Sequence, residues 1–544
     1  MEPSLPILVG ASVFLYAIWR LVREYVVNSP LDNLPGPPSS SFLQGHIADL
    51  FDRRGWQFVQ KLSERYGPVC KLKAILGARM LLVYDPKALH SILIKDVDAY
   101  PKCADPFDEF VLFIGPSVFT TDGSQHRRQR KQLNPVFSLA HLRNMSHLFY
   151  DIAHRVRKAI EHRVESGADS AIVDINGWMA RTTLEMLGQA ALGYSFDNFM
   201  DDSTDAFGES LKAFFPTYSR VALIGFIIPP LSYVIPKRVW RTILRLVPHA
   251  DMRKMMRVSD TMAQRSLEII NEKKMALMKG DDELRYKVGE GKDLMSILLK
   301  ANMLATDADR LTDEELTAQM TTFILAGMDT TSNALTRILQ VLAEHPSAQD
   351  KLRAEVSEAR CGNDIAYDAL DKLPYLDAVC RETLRLYAPV NVLGRATARD
   401  MKLPLLTPVV GRDGTPIDEV AVPEGTWVLA NLQASNCNRA LWGDDVYEWK
   451  PERWLKPLPG ALEEARVPGV HSNLMSFSGG SRSCIGFKFS QLEMKIVLSI
   501  LISSFKFETT GKRVTWNTSG VSYPTMGEGS TRPELLLRVT KIAG

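Results

Sequence analysis

Phe477-Ser-Gly-Gly-Ser-Arg-Ser-Cys484-Ile-Gly486 decides how this chain is read. The pattern F-x-x-G-x-R-x-C-x-G sets one cysteine in a glycine- and serine-rich loop, just before an apolar, helical run from Phe487 to Leu501. A thiolate so placed suits the axial ligand of a haem iron, where the sulfur pushes electron density onto the metal and favours O–O cleavage. Gly480 and Gly486 would let the backbone bend close to the macrocycle and the sulfur. Backbone N–H groups after Cys484 can hydrogen-bond the thiolate and tune its basicity. Arg482 offers forked donors that match a haem propionate, and Phe477 an apolar cover over the sulfur. Most lone cysteines are buried structural residues, but a structural cysteine does not call for the four other matched positions in these ten residues.

Four further stretches precede the cysteine in the chain. In Gly123-Ser-Gln-His126-Arg-Arg-Gln-Arg130-Lys-Gln-Leu, His126 and Arg130 lie four apart and share one face of a helix. That pair suits two propionate oxygens, although charge runs of this kind also form solvated helix faces. Leu311-Thr-Asp-Glu-Glu315 carries capping-box spacing and opens a long helix that ends at His345-Pro346. Its middle, Ala326-Gly-Met-Asp329-Thr330-Thr331, combines a glycine with paired threonines, all poor helix formers. Glu382-Thr-Leu-Arg385 is E-x-x-R on a helix from Leu373 to Tyr387, and Pro451-Glu-Arg453-Trp454 follows it. Alone, an i,i+3 ion pair on a helix surface contributes only ~0.2–0.5 kcal/mol.

In this order the motifs resemble those of the cytochrome P450 family, from the segment after residue 34 to the last strands. The resemblance implies a mostly α fold with a smaller β region, the haem lying between the long central helix and the cysteine loop. It implies haem b on Cys484, with propionates on His126, Arg130, Arg482 and Arg395, the last on a strand. The family's usual Trp-x-x-x-Arg reads His-x-x-x-Arg here. Gly327 would leave room beside the iron, Thr330 would turn its hydroxyl inward, and Asp329 would feed protons from solvent. Against this stands a plain helix whose threonines bond the previous turn. Glu382, Arg385 and Arg453 would form a buried triad bracing the cysteine loop, and Pro389 to Leu393 would border the substrate. The implied activity is monooxygenation of a hydrophobic small molecule. His126 together with the apolar N-terminus resembles fungal members acting on terpenoids and other secondary metabolites. Detoxification of xenobiotics is an alternative, as is a haem-thiolate isomerase or dehydratase working without a reductase. A haem sensor without turnover is a third, for which a proton relay would serve no purpose.

Composition agrees with one large enzyme. At about 150 residues per domain the 544 residues would suggest several domains, but no compositional break divides them. A net charge of +2 implies no nucleic-acid partner, and six scattered cysteines without C-x-x-C fit neither a zinc site nor a disulfide framework. Leu5 to Val22 is apolar around Arg20, with Glu2 before it and Arg23 after, which reads as a transmembrane helix with the catalytic part in the cytosol. The expected division is a membrane anchor over 1–27, a proline-rich hinge over 28–40 around Leu34-Pro-Gly-Pro-Pro38, and a monooxygenase domain over 41–544. The location would be the endoplasmic reticulum membrane, and the sequons at Asn144 and Asn517 would be chance matches. Val221 to Pro236 is either a buried core run or, by the resemblance, an entry flap touching the membrane. Glu272 to Asp293 reads as a charged surface connection, and Ser522 to Met526 as a loop reaching back to the pocket. No G-x-G-x-x-G opens a helix after a strand, and 60 residues after Cys484 are few for a fused flavin domain. Electrons are therefore expected from NADPH through a partner, an NADPH-cytochrome P450 reductase, with cytochrome b5 as a possible second donor.

Overall fold

The computed structural model describes residue 19 and residues 27–39, 41–102, 110–165, 170–200, 206–221, 228, 235–279, 293–360 and 362–542. The proposed membrane span therefore lies outside the described residues apart from Trp19, as does most of the apolar run 221–236. Among the described residues no helix is long and apolar enough to cross a membrane. Within the expected hinge, Leu31 and Leu34 are fully buried. Asp32 is held by Arg79 at 2.7 Å and Lys71 at 3.1 Å, so the packed body begins before residue 41.

The central helix, Asp313–Glu344, starts where the capping box placed it: Glu315 N–H donates to Thr312 Oγ1 and Thr312 N–H to Glu315 Oε2. Such caps contribute about 1 kcal/mol. Apolar side chains surround most of this helix, so it is buried rather than amphipathic. It packs along Ile175–Leu187 and against Ala250–Lys279. A Cβ on Gly327 would lie 2.8 Å from Leu187 Cδ1, so the glycine serves close approach of two helices. The helix is also unbroken through Thr330, whose hydroxyl donates to Ala326 O at 2.8 Å in the ordinary back-bonded manner.

The β region lies to one side. A four-stranded sheet runs in the order Val69–Lys73, Arg79–Val83, Trp427–Asn431, Val392–Ala396, with the middle pair parallel and the outer pairs antiparallel. A hairpin of Met401–Val410 and Pro416–Val422 turns at Gly414, whose φ is +84°. Leu536–Lys541 is the middle strand of a third sheet, pairing antiparallel with Ser170–Asp174 on one side and Phe505–Thr509 on the other. Two expectations change. Residues 521–526 form a strand paired to Val514–Ser519 rather than a loop, because Gly520 at φ +75° permits a tight reversal. Residues 272–279 continue the helix Ala250–Lys279 instead of opening a surface connection. Asn517 is buried on its strand and donates to Thr525 Oγ1, which fits a chance sequon.

The E-x-x-R helix, Pro374–Leu386, brings the buried network together. Glu382 and Arg385, both fully buried, meet in a fork of two 2.9 Å bonds. Arg453 Nε, Trp454 Nε1 and the Lys450 amide complete the hydrogen bonds to the Glu382 carboxylate, at 3.3, 3.0 and 3.0 Å. Arg385 also donates to Asn436 O, and Asn436 in turn binds the Met475 amide and Ser476 Oγ, directly ahead of Phe477. The triad thus reaches the cysteine loop through Asn436. Removing one member strands buried charge, so Glu382→Ala is expected to cost about 3–5 kcal/mol, measured as denaturant unfolding of the purified protein.

Candidate haem-thiolate site

The cysteine loop is built by backbone constraint. Gly480 has φ +70°, and a Cβ there would lie 2.1 Å from Leu93 O; one on Gly479 would lie 2.0 Å from Pro468 O. Gly486 differs, since its φ is −90° and an added Cβ would meet only Phe137 at 3.9 Å. The protein demands Gly479 and Gly480, whereas nothing in the packing demands Gly486. The loop closes when Cys484 N–H donates to Phe477 O at 2.9 Å. Phe477 packs on Phe487 and His471, with ring centroids 6.0 and 6.1 Å away.

Cys484 keeps accessible surface although the protein surrounds it deeply, so its sulfur faces an internal chamber. Burial raises its thiol pKa, opposed by a hydrogen bond from the Gly486 amide and by the charge of Arg130. On the central helix Ala326 is likewise accessible, and Asp329 and Thr330 partly so, while the flanking turns are buried. Burial pushes the Asp329 carboxyl up to about 7, with Lys212 pulling the other way.

The expected propionate ligands do converge. Arg130 Nη1 donates to Ser483 O at 2.7 Å, tying the basic helix Gly123–Leu133 to the loop one residue before the sulfur. Arg482 donates to Thr121 O at 2.7 Å and pairs with Asp122. Arg395 sits buried on strand Val392–Ala396 with its Nε unbonded and only the Gly394 carbonyl taken by Nη1. Burial and the neighbouring Arg482 bring its pKa down to about 10. His126 is buried among Arg482, Arg130, Lys102 and Arg127, which with burial lower its pKa to about 3 and keep the ring neutral. Among the described residues Asp122 pairs with Arg482 and Asp98 with Arg127, while no acid pairs with Arg130 or Arg395. A cluster so short of anions, beside a thiol and an aromatic cover, fits the two carboxylates and the iron of haem b.

Two groups escaped the sequence reading. Asn436 lies in no recognised motif and shows only through its contacts. Glu493, on the post-cysteine helix Phe487–Ser504, is fully buried next to the central helix, and neither oxygen makes a hydrogen bond of good geometry. Burial raises its carboxyl well above the ordinary range, with a small opposing effect from Thr331, whose hydroxyl donates to Ser490 Oγ. A glutamate in an apolar helix was the available signal.

An accessible cysteine in a glycine-rich loop beside a cluster of arginines, with an acid and an alcohol on the accessible stretch of the central helix, is the arrangement of a haem-thiolate protein. A cytochrome P450 family model matches residues 35–526, and the chain belongs to the cytochrome P450 family. It is 58% identical to the ganoderic acid synthetase of Ganoderma lucidum, with all of both chains covered. It is 48% identical to a cytochrome P450 monooxygenase of Postia placenta over 97% of each chain, and 34% identical to one of Hericium erinaceus over 93% of each. The enzyme is a monooxygenase whose cofactor is haem b, and the family implies a redox partner and a hydrophobic substrate.

Gly480→Ala is expected to cost at least about 3 kcal/mol, since a left-handed backbone and a carbonyl contact are both violated; thermal unfolding followed by loss of haem absorbance measures it. A carboxyl whose folded pKa is raised adds stability below its unfolded pKa of about 4.5 and loses it as pH rises toward the folded value. Glu493→Gln should therefore match the wild type in urea midpoint near pH 4.5 and equal or exceed it at pH 7.

Proposed function

We propose that this enzyme oxidises a terpenoid or related secondary metabolite, with electrons passed from NADPH by a membrane-bound reductase and, secondarily, by cytochrome b5. Haem b, when bound, supplies the redox chemistry that activates dioxygen. Cys484 would hold the iron, with the Gly486 amide moderating the sulfur's basicity. Arg130, Arg395, Arg482 and His126 would bind the propionates, with Arg482 shared between Asp122 and the incoming carboxylate. Phe477 shields the sulfur's side of the site from water.

The observation that carries the reading is the acid–alcohol pair on the accessible stretch of the central helix. An acid poised near neutrality can both take and give a proton at working pH, and Asp329 stands at about 7. The Thr330 hydroxyl, now bonded to Ala326 O, can rotate to present a donor to the chamber, with Asp329 recharging it from the side of Lys212. The substrate class is supported by the Ganoderma lucidum relative, named for ganoderic acid synthesis and aligned over its full length. We assign residues 1–27 to an anchor in the endoplasmic reticulum membrane and the rest to the cytosolic catalytic part, with the proline-rich segment 28–40 leading from one to the other while packing its Leu31 and Leu34 into the catalytic body. The anchor would put enzyme and reductase on one surface.

Reconstitution with reductase, NADPH and a panel of triterpenoids tests this, with substrate-dependent product as the expected result and a panel-wide failure sinking the substrate class. In the same assay Asp329→Asn should lose at least tenfold in kcat and erase the inflection near pH 7 from its profile. Thr330→Ala should consume NADPH at near the normal rate while releasing peroxide. Full coupling in that variant would remove Thr330 from the relay.

A further inference from the structure

Beyond Thr330, the central helix borders a cavity of about 720 Å³ lined in part by Pro389 and Asn391, from the segment expected to border the substrate, but by none of the residues assigned to the iron, the propionates or proton transfer. Helical spacing puts Ala326, Thr330, Asn333 and Arg337 on one face, with Arg337 about 10 Å along the axis from Thr330. Arg337 lies in this cavity's wall between the rings of Tyr387 and Trp516, its guanidinium carbon 4.0 Å from each centroid. It makes no ion pair among the described residues. Its Nε is buried without a partner, and Nη1 has only a 3.4 Å contact to Gln340 Oε1. Glu344, the acid whose field reaches it, is engaged by Gln340 Nε2 at 2.8 Å. Burial lowers the Arg337 pKa only to about 10, so it is charged at neutral pH.

Two aromatic faces hold the guanidinium plane and leave its edge for a ligand. That edge is a fork, which a carboxylate fits with two parallel hydrogen bonds. The remaining wall mixes apolar side chains with amides, including Asn391 and Asn431, and the volume falls in the range of small-molecule sites. Exposed Glu64 and Arg439 stand at the rim, opposite in sign. They leave Arg337 as the one cation set deep in the wall.

We propose that this cavity is a second ligand site, taking an organic anion with a carboxylate on an apolar body, paired to Arg337. Its ligand is held without contact to the haem site, and the shared helix links the two.

Equilibrium dialysis of the holoenzyme with radiolabelled laurate, under a saturating azole that blocks the haem chamber, tests the proposal. The expected result is one equivalent of laurate retained and not displaced by dodecan-1-ol. Arg337→Gln should weaken binding at least tenfold while the thiolate-type carbon monoxide spectrum stays intact. Ala440→Trp, at the exposed rim, should do the same by obstruction and decides the matter alone if the arginine variant fails to fold. No bound laurate, displacement by the azole, or wild-type affinity in the folded variants overturns it.

Discussion

A single buried carboxylate organises the side of the molecule that carries the sulfur. Glu382 accepts from Arg385, Arg453, Trp454 and the Lys450 amide, and has no exposed surface. A charge in that position is tolerable only when its lone pairs are answered, which is why the partners come from the E-x-x-R helix and from the P-E-R-W turn together. Arg385 carries the order onward to Asn436, and Asn436 fixes Met475 and Ser476. The cysteine loop inherits its position from this chain of bonds. Its own left-handed Gly480 and the bond from the Cys484 N–H to Phe477 O then set the direction of the sulfur.

The opposite requirement shapes the rim of the haem chamber. There the protein gathers Arg130, Arg395, Arg482 and His126, and among the described residues no acid pairs with Arg130 or Arg395. Mutual repulsion of this kind weakens an empty fold and strengthens the hold on a doubly anionic cofactor. His126 shows the effect most clearly, because burial and its cationic neighbours keep the ring neutral. A neutral imidazole still donates one hydrogen bond, as the tryptophan more usual in the family would.

The central helix reconciles two demands. It packs closely on Ile175–Leu187 where Gly327 meets the Leu187 side chain, and it still leaves Ala326 accessible and Asp329 and Thr330 partly so. It does so without a break in its hydrogen bonds, using the back-bonded hydroxyl of Thr330 as a stored donor.

Local patterns in the sequence determined a good deal. The capping box and His-Pro end bounded the central helix, and the i,i+4 spacing put His126 and Arg130 on one face. The five-position loop motif pointed to a haem-thiolate role for the sulfur, because such chemistry constrains neighbours in the chain. Only the tertiary structure decided the rest. Gly327 answers to Leu187, 140 residues away; Asn436 connects the triad to the loop; Glu493 is buried without partners; and Arg337 lies between Tyr387 and Trp516. Each depends on what another segment brings within a few ångströms. Spacing along one chain encodes the geometry of a helix or a turn, but not the neighbour that packing sets against it.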